Sequence, residues 1–172
     1  QSPESILDIG TGSGCIAISL AKQLPQSQVY ALDISEKALC VAKENAYINN
    51  VDITFIHDDI LSLRNKIETK FDIIVSNPPY IRSGDIPGLD ASVRDYEPHL
   101  ALDGGEDGLI FYRTLLRTQA KRLAPGGFFL FEIGYDQAED IRALFGMTPY
   151  AHKTSPGDME KLENRRVKNL QH

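Results

Sequence analysis

Several things are scarce in this 172-residue chain. Only two cysteines occur, Cys15 and Cys40, both in stretches that read as helical. They are expected to be small core residues, so no disulfide framework is expected and a reducing, cytoplasmic setting is favoured. No apolar run approaches the roughly 20 residues that span a bilayer. The opening residues do not have a signal-peptide pattern, so no membrane partner is expected. His57, His99, His152 and His172 are scattered. No metal-ligand spacing exists, and no metal is expected. Bases are outnumbered, with 18 Lys plus Arg against 24 Asp plus Glu and a net charge of −6. That balance counts against tight non-specific binding of duplex nucleic acid, which needs phosphate-neutralising cations. Nearly all of the deficit sits between residues 82 and 108. There Asp85, Asp90, Asp95, Glu97, Asp103, Glu106 and Asp107 face only Arg82 and Arg94.

What is present points to one soluble α/β domain. Hydrophobic residues make up 42% of the chain, enough to bury a core. Ser5–Ile9 reads as a short apolar strand, Cys15–Gln23 as a helix, Gln28–Leu32 as a strand ending in Asp33, and Ser35 as the cap of a helix reaching about Asn49. Asp52–Ile56 and the fully apolar Phe71–Val75 read as further strands. The latter is the kind buried on both faces of a parallel sheet. A long irregular segment follows to about Gly108, then a helix over Leu109–Leu123. A tight turn at Pro125–Gly127, a strand Phe128–Ile133 and a helix Asp136–Phe145 come next. Met147–Lys153 and Arg165–Leu170 are expected to pair as a terminal antiparallel hairpin. The alternation predicts a mostly parallel, Rossmann-like sheet with helices on both faces, and ligands bind such sheets beyond the carboxyl ends of the strands.

Three motifs fall at those strand ends. After the first strand the chain reads Gly10–Thr11–Gly12–Ser13–Gly14. Glycines there let the backbone turn sharply and approach a ligand. The spacing departs from the dinucleotide fingerprint, because Cys15 stands where its third glycine would be. It resembles the glycine loop of class I methyltransferases, which holds the methionine part of S-adenosylmethionine. A plain glycine-rich turn would read the same way. Asp33 ends the second strand, where a carboxylate can accept both ribose hydroxyls of an adenosine ligand. The alternative is that it only caps the next helix, although Ser35 is the better placed cap. Asp58, Asp59 and Ile60 follow the third strand, where in the resembling fold an acid and its successor contact the adenine. Asp8 is expected to prop the glycine loop, and His57 to be structural.

The sharpest feature is Asn77–Pro78–Pro79–Tyr80. Proline fixes φ and lacks an N–H, and it pushes the residue before it out of the helical region. The segment is therefore stiff and extended. The Asn77 side-chain oxygen and the Pro78 carbonyl offer two acceptors for a planar –NH2 group, and Tyr80 offers a ring to pack on it. A rigid turn is the bland alternative. The motif resembles the (D/N)-P-P-(Y/F) signature of methyltransferases acting on amino or amide nitrogens. It leaves adenine in DNA, guanine in RNA and a glutamine amide in protein all open.

More of the chain bears on that choice. Glu97–Leu109 (EPHLALDGGEDGL) with Tyr112–Arg113, then Leu123–Gly127, Phe131–Gly134 and Gln137, together with Asn45–Ala46, resemble blocks of the release-factor glutamine methyltransferases, the HemK/PrmC family. The resemblance covers about residues 5–145. It implies N5-methylation of the glutamine in the Gly-Gly-Gln loop of class-1 peptide chain release factors, with S-adenosyl-L-methionine as cofactor and S-adenosyl-L-homocysteine as product. By the same resemblance Gly10, Thr11, Gly12, Ser13, Gly14, Asp33, Asp59, Ile60 and Asn77 line the cofactor site. Asn77, Pro78, Pro79 and Tyr80 hold the substrate amide, with Asn77, Pro78 and Tyr80 catalytic. Residues 1–172 are then expected to form the catalytic domain, the family's N-terminal helical domain being absent. Glu97 and Glu132 are expected to be structural rather than general bases, and Arg113 to pair with an acid of 103–107. The acidic stretch 82–108 is either a solvated loop or a rim that repels nucleic acid and attracts a basic protein.

Overall fold

Apolar strands and amphipathic helices alternate, and the strands join one parallel sheet. The structure, a computed structural model, describes residues 3–60, 68–95 and 98–146. Among them are five strands: β1 (Ser5–Ile9), β2 (Gln28–Asp33), β3 (Thr54–His57), β4 (Phe71–Ser76) and β5 (Leu123–Phe131). Their order is β3-β2-β1-β4-β5, and each neighbouring pair is parallel. The chain steps outward from β1 to β3 and returns to the other side of β1 with β4. The switch point therefore lies between the carboxyl ends of β1 and β4.

Side-chain alternation along β1 decides what covers each face. Ile6 packs with Ala17, Ile18 and Ala46, from α1 (Cys15–Gln23) and α2 (Glu36–Ile48). Leu7 and Ile9 pack with Leu32, Phe71, Ile74 and Leu115, the last from α5 (Ile110–Gln119). All three β1 side chains are essentially buried, each contributing about 1.5–3 kcal/mol of transfer free energy. Ser35 caps α2, its Oγ accepting from the Ala38 N–H at 3.2 Å. α1 has no side-chain cap and begins after Gly14, at φ +86°. A Cβ on Gly14 would lie 3.1 Å from both the Ala42 Cβ and the Ile18 Cδ1, so the α1–α2 approach also needs glycine there.

The structure corrects several boundaries. β3 begins at Thr54, two residues later than expected. The stretch after Tyr80 holds a 3₁₀ turn (Ile86–Gly88) and two single-turn helices, α3 (Ala91–Arg94) and α4 (His99–Leu102). Too short for a periodic signal, they are set by local caps such as Asp90, which accepts from the Ser92 N–H at 2.8 Å. α5 ends at Gln119 and passes into a 3₁₀ turn, Ala120–Arg122. β5 runs through Pro125–Gly127 and stops at Phe131. The expected turn survives as a bulge: Phe71 pairs with Leu123 but Ile73 with Phe128, and Gly126 has φ +84°. Proline, with no N–H to lose, tolerates that position. α6 is Ala138–Gly146. Cys15 and Cys40 are exposed rather than core residues. The buried faces of their helices are Ala17–Ile18 and Leu39–Ala42–Ala46, off which both cysteines fall. The expected terminal hairpin and Glu97 lie outside the described residues.

Candidate active site

The glycine loop, Asp33 and the Asn77–Tyr80 segment meet at the carboxyl ends of β1, β2 and β4. Gly10 and Thr11 donate their N–H groups to the Leu32 carbonyl at 2.8 and 3.0 Å, which sets the loop across the end of β2. Gly12 donates to Asp33 Oδ2 at 2.8 Å, and the Asn45 side chain donates to the Ser13 carbonyl at 2.9 Å. Gly12 sits at φ +56°, and a Cβ there would meet nothing within 4 Å. The loop thus faces open space at Gly12. Asp33 is 8% exposed, and its Oδ1 accepts from the Ser35 N–H at 2.8 Å. Asp33 is therefore not the cap of α2. Ser35 is the helix cap, while Asp33 ties the glycine loop to the start of α2.

Asp8 lies beneath this loop, fully buried. Its Oδ2 accepts from the Thr11 hydroxyl at 2.6 Å and the Ala17 N–H at 3.1 Å. Oδ1 has no hydrogen-bond partner among the described residues. Burial pushes the pKa up to about 6 despite those two donors, and the charge of Asp33 adds to the rise. Asp58 follows β3, its N–H donating to the Asp33 carbonyl at 3.1 Å, and Asp59 donates to Asp58 Oδ1 at 2.9 Å. The Ile60 side chain is in the core with Leu32 and Ile74. His57 Nε2 lies 2.9 Å from the Ile34 carbonyl, which can only accept, so that nitrogen carries the proton.

Asn77 is exposed, Pro78 buried, and Pro79 and Tyr80 half-buried. The Asn77 carbonyl would be 4.0 Å from a Cβ on Gly10, so the segment runs beside the glycine loop. Ser76 anchors its start: the buried Oγ donates to the Ile9 carbonyl at 2.7 Å, and the Ser76 carbonyl accepts from the Glu132 N–H at 3.1 Å. The Tyr80 hydroxyl is 3.5 Å from Glu132 Oε1. Burial first, then the Glu132 charge, raises the Tyr80 pKa. Tyr112 donates its hydroxyl to the Glu132 carbonyl at 2.7 Å.

Sequence reasoning gave no role to the residues that fasten the far end of the segment. Ile81 donates to the Leu102 carbonyl at 3.0 Å, and Gly104 donates to the Ile81 carbonyl at 2.8 Å. The buried Gln137 amide donates to the Tyr80 carbonyl at 3.0 Å. The signal was the glycine-rich Asp103–Gly108 stretch and Gln137, legible only as parts of the blocks that carry the resemblance. Most acids of residues 82–108 are engaged locally. Asp90 caps α3, Asp95 pairs with Arg94, Asp103 accepts from Ser83 and Gly105, and Asp107 pairs with Arg113. Arg82 bridges to Asp136 at 2.9 Å. A groove of about 540 Å³ on α5, lined by Ile110, Arg113, Thr114 and Arg117, shares no residue with this site. Among the described residues no helix is long and apolar enough to cross a membrane.

Comparison with known proteins fits this geometry. The chain is 43% identical over 146 residues to the release factor glutamine methyltransferase of Geobacter sulfurreducens, which covers 85% of this chain and 51% of that protein. It is 52% identical over 129 residues to the protein of the same name from Flavobacterium psychrophilum, covering 74% and 45%. The chain thus spans about half the length of the curated relatives it matches. Among solved structures, TrmN from Thermus thermophilus superposes with a TM-score of 0.60 at 28% identity, covering 85% of this chain and 36% of that one. Residues 1–91 match the family description "Methyltransferase small domain", and with the parallel sheet and glycine loop above, the chain belongs to the methyltransferase small domain family.

Proposed function

We propose that the chain carries out S-adenosylmethionine-dependent N5-methylation of the glutamine in the Gly-Gly-Gln motif of class-1 peptide chain release factors. The observation that carries this reading is the Asn77–Tyr80 segment, anchored at the carboxyl end of β4 beside the glycine loop. The relatives named release factor glutamine methyltransferase support the choice of substrate.

The residues fit the cofactor. Open space over Gly12 leaves room for the methionine part along Gly10–Gly14. Asp33 would accept from the ribose hydroxyls with lone pairs that Gly12 and Ser35 leave unused. Asp59 and Ile60 would flank the adenine, Ile60 through its main chain because its side chain is in the core. The bound cofactor supplies an activated methyl group on a sulfonium.

An amide nitrogen is a poor nucleophile because its lone pair is delocalised. The Asn77 side-chain oxygen and the Pro78 carbonyl would accept the two amide N–H groups and fix the plane of the amide. Tyr80 would pack its ring on that plane. Positioning of this kind contributes up to roughly 7–11 kcal/mol. Glu132 acts on Tyr80 by charge and hydrogen bond; as the N–CH3 bond forms and the sulfonium S–CH3 bond breaks, the nitrogen would lose one N–H proton, which passes to solvent after transfer.

Labelled S-adenosylmethionine offered in parallel to a release factor, DNA and ribosomal RNA tests the reading. Label is expected on the release-factor glutamine. Label on nucleic acid alone would reject this substrate.

A further inference from the structure

We propose that Gln137 is a positioning residue that holds the two amide-accepting groups in register; this rests on the function proposed above. Asn77–Tyr80 contains two prolines, so residues 78 and 79 have no N–H by which their own backbone could be tied down. The segment must be fixed from its ends. Its amino end is held by Ser76. At its carboxyl end the Tyr80 carbonyl receives the Gln137 side-chain amide at 3.0 Å, across 57 residues of sequence.

Gln137 is 2% exposed, and its amide is fully used. The second N–H of Nε2 goes to the Gly108 carbonyl at 3.2 Å, and Oε1 accepts from the Gly134 N–H at 3.0 Å. The slot is walled by glycine. A Cβ on Gly108 would lie 2.5 Å from both Nε2 and the Tyr80 oxygen, and one on Gly134 would lie 3.0 Å from Oε1. Only a planar group with two donors and one acceptor, at glutamine's reach, satisfies all three backbone groups at once. With φ locked at both prolines, few soft torsions separate the Tyr80 carbonyl from the Pro78 carbonyl. Fixing the first therefore restricts the second, the group proposed to hold the substrate.

The test is Gln137→Glu in the full chain, which keeps the shape and removes both donors. At neutral pH kcat is expected to fall about 10- to 100-fold, as for a small misplacement near the chemistry. The Kd for S-adenosylmethionine should stay within about twofold, because the glycine loop is held separately, by Leu32 and Asp33. Amide exchange should quicken at Ile81, Ser83 and Gly104 and not across the sheet. As pH falls, the carboxyl gains a proton, regains one donor, and kcat should recover towards wild type. Gln137→Asn, uncharged and shorter, gives the same split if the Glu variant does not fold. Unchanged kcat, unchanged exchange at those amides, or a parallel loss of kcat, cofactor affinity and global protection would each overturn the proposal. Activity is measured on whichever acceptor wild type labels. A wild type that labels nucleic acid therefore rejects the substrate reading separately, while the exchange pattern needs no substrate.

Discussion

Asp8→Asn separates the cost of burying a charge from the value of the hydrogen bonds that charge makes. The folded-state pKa of Asp8, about 6, lies above the ordinary carboxylate value of 3.8, chiefly because the group is buried. The folded chain therefore binds this proton more tightly than the unfolded chain. Ionised Asp8 is destabilising: the cost is complete above about pH 6 and is relieved as pH falls through 6 towards 3.8. At about 1.36 kcal/mol per unit, it is about 3 kcal/mol at pH 7.5 and about 1 kcal/mol at pH 4.5. Asparagine keeps an acceptor for Thr11 and Ala17 but does not titrate. It also places an –NH2 where Oδ1 has no partner among the described residues, at a cost of about 1–3 kcal/mol. That second cost is the same at every pH. The acid-induced loss from Asp90, Asp95, Asp103 and Asp107 does vary with pH but is the same in both proteins, because their hydrogen bonds hold their pKa values down in each. Both cancel in a difference of differences. Urea unfolding of both proteins should show the variant about 2 kcal/mol more favoured, relative to wild type, at about pH 7.5 than at about pH 4.5, with m unchanged. In thermal scans this is about 4–8 °C. Parallel stability curves across that range would refute the argument that burying an ionised Asp8 costs stability.

Four further substitutions probe the neighbouring parts. Asp33→Asn removes the charge-assisted bonds from Gly12 and Ser35, so calorimetry should show cofactor affinity weakened about 10- to 100-fold; unchanged affinity would count against Asp33 as the loop's anchor. Asn77→Ala should still bind S-adenosylmethionine but lose about 5- to 150-fold in kcat; full activity would sink the two-acceptor mechanism. Gly108→Ala combines a backbone at φ +75° with contacts at 2.5 Å to Tyr80 and Gln137, and should cost about 2–5 kcal/mol in urea unfolding. Gly12→Ala, equally left-handed but facing open space, should cost only about 1–2 kcal/mol; equal losses would show that the slot around Tyr80 is not tight.

What could be read from the sequence follows the range of the physics behind each feature. Strand β1, the Ser35 cap and the glycines between Gly10 and Gly14 are set by neighbours a few residues away, and their expected places hold. Asp107 pairs with Arg113 as expected because the two lie six residues apart. The bulge in β5 was visible only as a turn, because Pro125–Gly127 says that the backbone bends and not that a strand resumes in register. The exposure of Cys15 and Cys40 is not legible in the sequence, because small apolar residues are cheap on either helix face and composition alone does not place them. The support of the Asn77–Tyr80 segment was hidden for a different reason. Its bonds run from Ser76 to Ile9, from Glu132 to Ser76 and from Gln137 to Tyr80, spans of 56 to 67 residues with no periodic signature. A motif announces its chemistry locally, while the frame that makes the chemistry possible is long-range. Gln137 has no local signature of its place, which is set by the Tyr80 and Gly108 carbonyls on either side of its amide. The same logic explains why glycine recurs at Gly104, Gly108 and Gly134. Gly104 and Gly108 lie where the Tyr80 backbone passes too close for a Cβ, while at Gly134 a Cβ would make a tight contact of 3.0 Å with the Gln137 side chain. Gly104 and Gly108 are therefore demanded by the frame around the motif, and the glycines of the Gly10–Gly14 loop by the backbone turn at the end of β1.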